Sequence, residues 1–269
     1  MLLTVSKPHA KSTTIRRMKT RAAKSDERHI LVKVVEADKK SSRNITKTTN
    51  NQTRVEELYL RTTTDDIHDM IEAALPAFGY YYERVKNQYY DDDKERSKIV
   101  TLDYLTRSLV AILMQHPEQA RGSPKQFVQR HYTRIFSQSS KPEVFGHTVQ
   151  LMKLVDQFVE SRIEGKTHRA NLKYYIALDA VCTVTKKSSI QRGTIVALKL
   201  EKVTSPILEG SMIRVKRIYD DLLTKGIVPD LVAKGGEFVA QLKNQLEERF
   251  PPKHKKPEAM LWPEMEQRA

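Results

Sequence analysis

Apolar positions along this chain fall into one short β-branched run near the N-terminus and into helical stripes beyond it. Ile30-Leu31-Val32-Lys33-Val34-Val35-Glu36 is apolar at most positions and bounded by charge, which predicts a buried strand. From Ala37 to Ile45 the pattern turns polar and helical. It ends in Thr48-Thr49-Asn50-Asn51-Gln52-Thr53, where side chains compete with the backbone for hydrogen bonds and resist regular structure. Thr64-Asp65-Asp66 offers a helix cap. The helix behind it sets Ile67, Ile71 and Leu75 on one stripe until Pro76 and Gly79 stop it. Ile99-Val100-Thr101-Leu102 reads as a short strand. Asp103 then caps an apolar helix through Leu105, Leu109, Ile112 and Leu113, closed at His116-Pro117. Gly122-Ser123-Pro124 is a break.

Beyond Pro142 the chain reads helical almost throughout. Thr148, Leu151, Val155, Val159 and Ile163 recur at three- and four-residue spacing, with Met152 and Phe158 broadening the face and Gly165 ending it. A second helix runs from about Arg169 through Leu172, Ile176, Asp179 and Thr183. Residues 190–203 fit strand or helix, with their neighbours favouring helix. Further helices are expected over 206–225 and 234–250. The elements predict an α+β chain: a small N-terminal β-sheet with packed helices over residues 29–138, then a predominantly helical C-terminal region over 139–250. Residues 1–28 read as a disordered basic arm or a truncated remnant, and 251–269 as a loose tail.

Composition narrows the class. The chain has 269 residues, 39% of them hydrophobic, enough for a real core. No apolar run approaches the roughly 18 residues a membrane helix needs, so no membrane partner is expected. The N-terminus lacks the apolar core of a secretory signal. A single cysteine, Cys182, excludes an internal disulfide and suits the reducing cytoplasm. The formal charge of +14 favours an anionic partner, most simply nucleic acid, either DNA or RNA. Residues 1–28 hold eight Lys and Arg against two acids, and Arg121–Arg134 holds Arg121, Lys125, Arg130 and Arg134 with none.

Catalytic signatures are weak. Gly165-Lys166-Thr167 lacks the glycine five positions earlier that a phosphate loop needs, since Glu160 stands there. Glu164-Gly165-Lys166 has the form of half a restriction-type nuclease site, but Asp156 lies on the same helical stripe rather than on a strand. Asp91, Asp92, Asp93 and Glu95 lack the spacing of a calcium loop and read as a solvated turn. The eight histidines are scattered, and Cys182 sits in an apolar helix. No cofactor or metal is expected, and no catalytic constellation assembles.

Five tyrosines within eleven residues, Tyr80, Tyr81, Tyr82, Tyr89 and Tyr90, interleave with Arg84 and Lys86. Buried, they would form a packing hub whose hydroxyls need partners. Exposed, Tyr81 or Tyr82 could stack on a base while Arg84, Lys86 and Asn87 hold phosphate. Asn50, Asn51 and Gln52 could read a base edge or lock their own turn. Lys98, Arg121, Arg130 and Arg134 complete the candidate nucleic-acid-binding set.

The ordered series Thr49-Asn50-Asn51-Gln52-Thr53, Tyr81-Tyr82-Glu83-Arg84 with Lys86-Asn87, Ser97-Lys98-Ile99-Val100 and Ala120-Arg121-Gly122-Ser123-Pro124 resembles the abortive-infection phage-resistance family of bacteria, abbreviated AIPR. The likeness is close over about residues 29–130 and looser beyond. It implies a role in phage defence. Members are often longer, and many carry a restriction-endonuclease-like domain ahead of this region. The expectation is therefore a C-terminal portion that engages nucleic acid or a nucleotide without catalysis. An interaction module that senses a phage or host protein, or partners a separate nuclease, is the alternative; an inactive remnant is the third.

Overall fold

The structure, a computed structural model, describes residues 2–5, 33–36, 57–90 and 92–252. It divides into two compact units, Met1–Asp69 and Met70–Ala269. In the first, β1 (Leu2–Val5) pairs in parallel with β2 (Lys33–Glu36), in the register Leu2 to Lys33 and Val5 to Glu36. The second half of the expected strand is therefore real, while Ile30–Val32 lie outside the described residues. Leu2–Val5, expected above to belong to a disordered arm or remnant, is a strand partner. The helix α1 (Glu57–Thr64) follows.

Helix α2 (Asp66–Ala74) carries the expected stripe: Ile67, Ile71 and Leu75 are all buried. A 3₁₀ turn, Leu75–Phe78, ends at Gly79 with φ +87°, the left-handed conformation that glycine adopts without a Cβ clash. The tyrosine segment then opens as β3 (Tyr81–Glu83), which pairs in parallel with β4 (Ile99–Thr101) in the register Tyr82 to Val100.

Helix α3 (Leu102–Ile112) starts two residues earlier than an Asp103 cap would allow. The cap is Thr101, whose hydroxyl accepts from the Tyr104 N–H at 3.2 Å. Asp103 sits in the first turn and pairs with Arg107 at 2.8 Å. Pro117 does not close α3; it opens α4 (Pro117–Arg121), where its missing N–H costs no helical bond. The Arg107 guanidinium donates to the carbonyls of Ala120 and Gly122, fixing the turn that the Gly-Ser-Pro sequence predicted.

The helices α5 (Lys125–Ile135), α6 (Pro142–Arg162), α7 (Lys166–Thr185), α8 (Arg192–Val196), α9 (Ser205–Leu223), α10 (Pro229–Lys234) and α11 (Gly236–Arg249) make up the rest. The ambiguous stretch 190–203 resolves into α8 and a 3₁₀ turn, Leu200–Lys202. The α+β class holds, with helix dominant.

The core is built around α7, which packs against α3, α4, α6, α9, α10 and α11. From Asn171 to Cys182 only Lys173 escapes burial, as expected of a helix surrounded on all sides. Tyr175 stacks on Phe238 with centroids 3.8 Å apart, and its hydroxyl donates to the Ala233 carbonyl at 2.9 Å. Asp179, 1% exposed, is met by Arg214 from α9 and Arg249 from α11, which tie three helices through one buried carboxylate. Phe78 enters α6 where only a glycine admits it: a Cβ at Gly146 would fall on the ring.

Candidate nucleic-acid interface

The tyrosine segment divides between core and surface. Tyr82 is 0% exposed, because alternation along β3 turns it inward between Tyr81 and Glu83. It cannot stack on a base, and its place in the candidate set is corrected to packing. Tyr81 and Tyr89 are half-buried with ring centroids 6.1 Å apart. Their faces are already engaged by the Lys94 ammonium, 3.8 Å from the Tyr89 centroid and 4.7 Å from that of Tyr81. Arg84 pairs with Glu72 at 3.1 Å, not with the adjacent Glu83. Glu72 also accepts from Gln88, which fastens the segment to α2. Lys98 is exposed and pairs with Glu95 at 3.0 Å. Lys86, Asn87 (at φ +63°) and Tyr90 face solvent.

A second group of rings and cations joins this segment to the helices. The half-buried Lys153 of α6 donates to the Ser97 carbonyl at 2.7 Å and lies over the rings of Tyr80 and Tyr104. Burial holds its ammonium below the usual lysine value. Tyr104 donates to Asp156 at 2.7 Å, and Lys173 pairs with the same carboxylate at 3.0 Å. Burial first, then Asp156, raises the Tyr104 phenol well above its ordinary range. The aromatic–cationic composition is thus largely spent on the chain's own contacts.

Arg121 also changes role. It donates to Asn171 of α7 and to Asp230 of α10, both at 2.7 Å, so its charge and fork are used inside the fold. Arg130 and Arg134, by contrast, are exposed on α5, on either side of a kink at His131 (φ −116°, ψ 16°). Asn50, Asn51 and Gln52 lie outside the described residues.

What the structure adds is the partner of α5. Residues 180–200 form a second acid-free stretch, carrying Lys186, Lys187, Arg192 and Lys199. It folds back onto the first. Arg192, at the start of α8, donates from Nε to Ser140 at 2.8 Å and from Nη2 to the Arg134 carbonyl. Burial, then the neighbouring Arg134 charge, lowers its pKa from the ordinary arginine value. Two clefts flank α8. One, about 390 Å³, is lined by Leu113, Met114, Arg134, Ile190, Gln191, Arg192 and Gly193. The other, about 250 Å³, includes Lys187, Gly193, Thr194, Lys199 and Lys202. No carboxylate lines either, and none of these five cations forms an ion pair among the described residues. The signal that could have found this site was the second acid-free run.

Other candidate chemistry finds structural employment. Gly165-Lys166-Thr167 joins helix α6 to helix α7, where a phosphate loop would need a strand. The Cys182 thiol is buried and pushed up to about 12, which makes it a poor nucleophile. Among the described residues, no three His, Cys, Asp or Glu side chains converge as metal ligands would, and no helix is long and apolar enough to cross a membrane.

A family model described as AIPR protein matches residues 12–221, which contain both clefts and the tyrosine segment. Searches of curated proteins and of solved structures returned no match. With most of its length covered by that model, the chain belongs to the AIPR family, associated with abortive infection and phage defence.

Proposed function

We propose that this chain is a non-catalytic module of a phage-defence protein that engages nucleic acid through the cationic clefts around α8. The observation that carries the reading is the convergence of Arg134, Arg192, Lys187, Lys199 and Lys202 without a neutralising carboxylate. Like charges on neighbouring walls, as Arg134 and Arg192 are, raise the energy of the free fold. A polyanion relieves their repulsion and releases its own counterions. The surface the reading uses differs from the tyrosine face expected from sequence, since those rings and cations are largely occupied by their own neighbours.

Fluorescence anisotropy with labelled single-stranded DNA and RNA of about 20 nucleotides tests this. Five contacts on a single strand predict a log–log salt slope of about −3.5, so affinity should fall roughly a hundredfold between about 50 and 200 mM salt. Replacing Lys187, Lys199 and Lys202 together by alanine should reduce the slope to about −1.4. Replacing Lys216 and Lys225, already paired with Asp220 and Glu237, should leave it unchanged. Absence of binding at low salt would sink the proposal and favour an interaction module that contacts a phage or host protein.

A further inference from the structure

We infer that the two clefts act as one groove for an extended phosphodiester chain, with Gly193 as the point where the protein backbone meets it. This rests on the nucleic-acid reading above and specifies the part of the ligand that is bound. Gly193 lines both clefts and is exposed, with Arg134 and Arg192 on one side and Lys187, Lys199 and Lys202 on the other. A Cβ placed there would meet nothing within 4 Å, so the position is open towards the ligand space rather than packed. Its φ is not in the left-handed region, so the backbone itself does not demand glycine. The absence of a side chain leaves the two cationic sets undivided.

The lining also limits what part of a nucleic acid is recognised. No aromatic ring lines either cleft, so bases have no stacking platform there. The Arg134 guanidinium makes no side-chain hydrogen bond among the described residues, and the two bonds of Arg192 leave its Nη1 free to donate. These groups suit phosphate oxygens. The groove therefore holds backbone and discriminates little between bases.

The test compares wild type with Gly193→Ala and Gly193→Leu, measuring anisotropy with labelled dT20, dA20 and U20 at low salt alongside thermal melting. Both variants should melt at or above the wild-type temperature, since the site is open and glycine is a poor helix former. Gly193→Leu should weaken oligonucleotide binding at least tenfold and Gly193→Ala less. Affinities for dT20 and dA20 should agree within about threefold, and tripolyphosphate should compete better than inorganic phosphate. Wild-type binding that survives Gly193→Leu in a folded variant overturns the groove while leaving the nucleic-acid reading intact. A more than tenfold preference between dT20 and dA20 overturns the backbone assignment. If wild type binds tripolyphosphate but no oligonucleotide, or binds neither, the nucleic-acid reading itself fails and this inference with it.

Discussion

Tyr82 and Arg121 show how one residue type changes meaning with its neighbours. Tyr82 lies in a run of three tyrosines whose chemistry is identical, yet strand alternation buries it completely while Tyr90, a few residues on, is 75% exposed. Tyr82→Ala is expected to cost about 3–5 kcal/mol of stability, and Tyr90→Ala less than about 0.5 kcal/mol, both measured by denaturant titration. Equal small effects would place Tyr82 at the surface instead. Arg121 was a phosphate candidate by charge alone. Its removal strands the buried Asn171 Oδ1 without a donor, a loss of about 1–3 kcal/mol. Arg121→Ala should therefore lower the melting temperature while leaving the salt slope of oligonucleotide binding unchanged. The opposite pattern would return Arg121 to the binding surface.

At the scale of elements, α6 is the spine to which the tyrosine segment and α8 are both fastened. Gln150 donates to the Phe78 carbonyl, Lys153 to that of Ser97, and the His147 ring bonds the Ile195 carbonyl at 2.8 Å. Phe78 lies over Gly146 and edge-on to His147. Gly146→Ala should destabilise by about 1–3 kcal/mol through overpacking, despite alanine's better helix propensity. Adding Phe78→Leu should recover part of that loss if the ring is the obstacle. A simple sum of the two effects in a double-mutant cycle would show that it is not. Because α8 hangs on the same helix, Gly146→Ala should also weaken oligonucleotide binding.

For the molecule as a whole, buried phenols set the pH range of the fold. Burial raises Tyr104, Tyr174 and Tyr175 above the ordinary 10.0, and Cys182 rises from 9.0 to about 12. Each stays protonated in the fold at a pH where the unfolded chain would release its proton. Their contribution is thus fully present below about pH 9, begins to fall as pH passes the unfolded values of 9.0 and 10.0, and is lost progressively as pH rises on through the raised folded values. Thermal melts should be level from about pH 7 to 8.5 and fall markedly by about pH 10.5. A flat profile across that interval would mean that the phenols are open to solvent. The charge of +14 acts over the same scale, but its placement decides its use: among the described residues some cations are paired with carboxylates, as Arg121, Lys173, Arg214 and Arg249 are, while five without an ion pair line the clefts around α8.

Local pattern was enough to read much of the described fold, because periodicity, proline and glycine act within a few residues. The stripe Ile67, Ile71, Leu75, the short strand at Ile99, the break at Gly122-Ser123-Pro124 and the long helix ending before Gly165 were all legible for that reason. The ordered motifs from Thr49 to Pro124 were likewise enough to recognise the family. Strand partners, the inward face of Tyr82 and the employment of Arg121 depend on residues distant in the chain, and so did the bringing of 180–200 onto α5. By itself the sequence determined the class, the family and the excess of positive charge. Only tertiary structure decided which cations meet a carboxylate and which line the clefts around α8, since that depends on distances in space and not on positions along the chain.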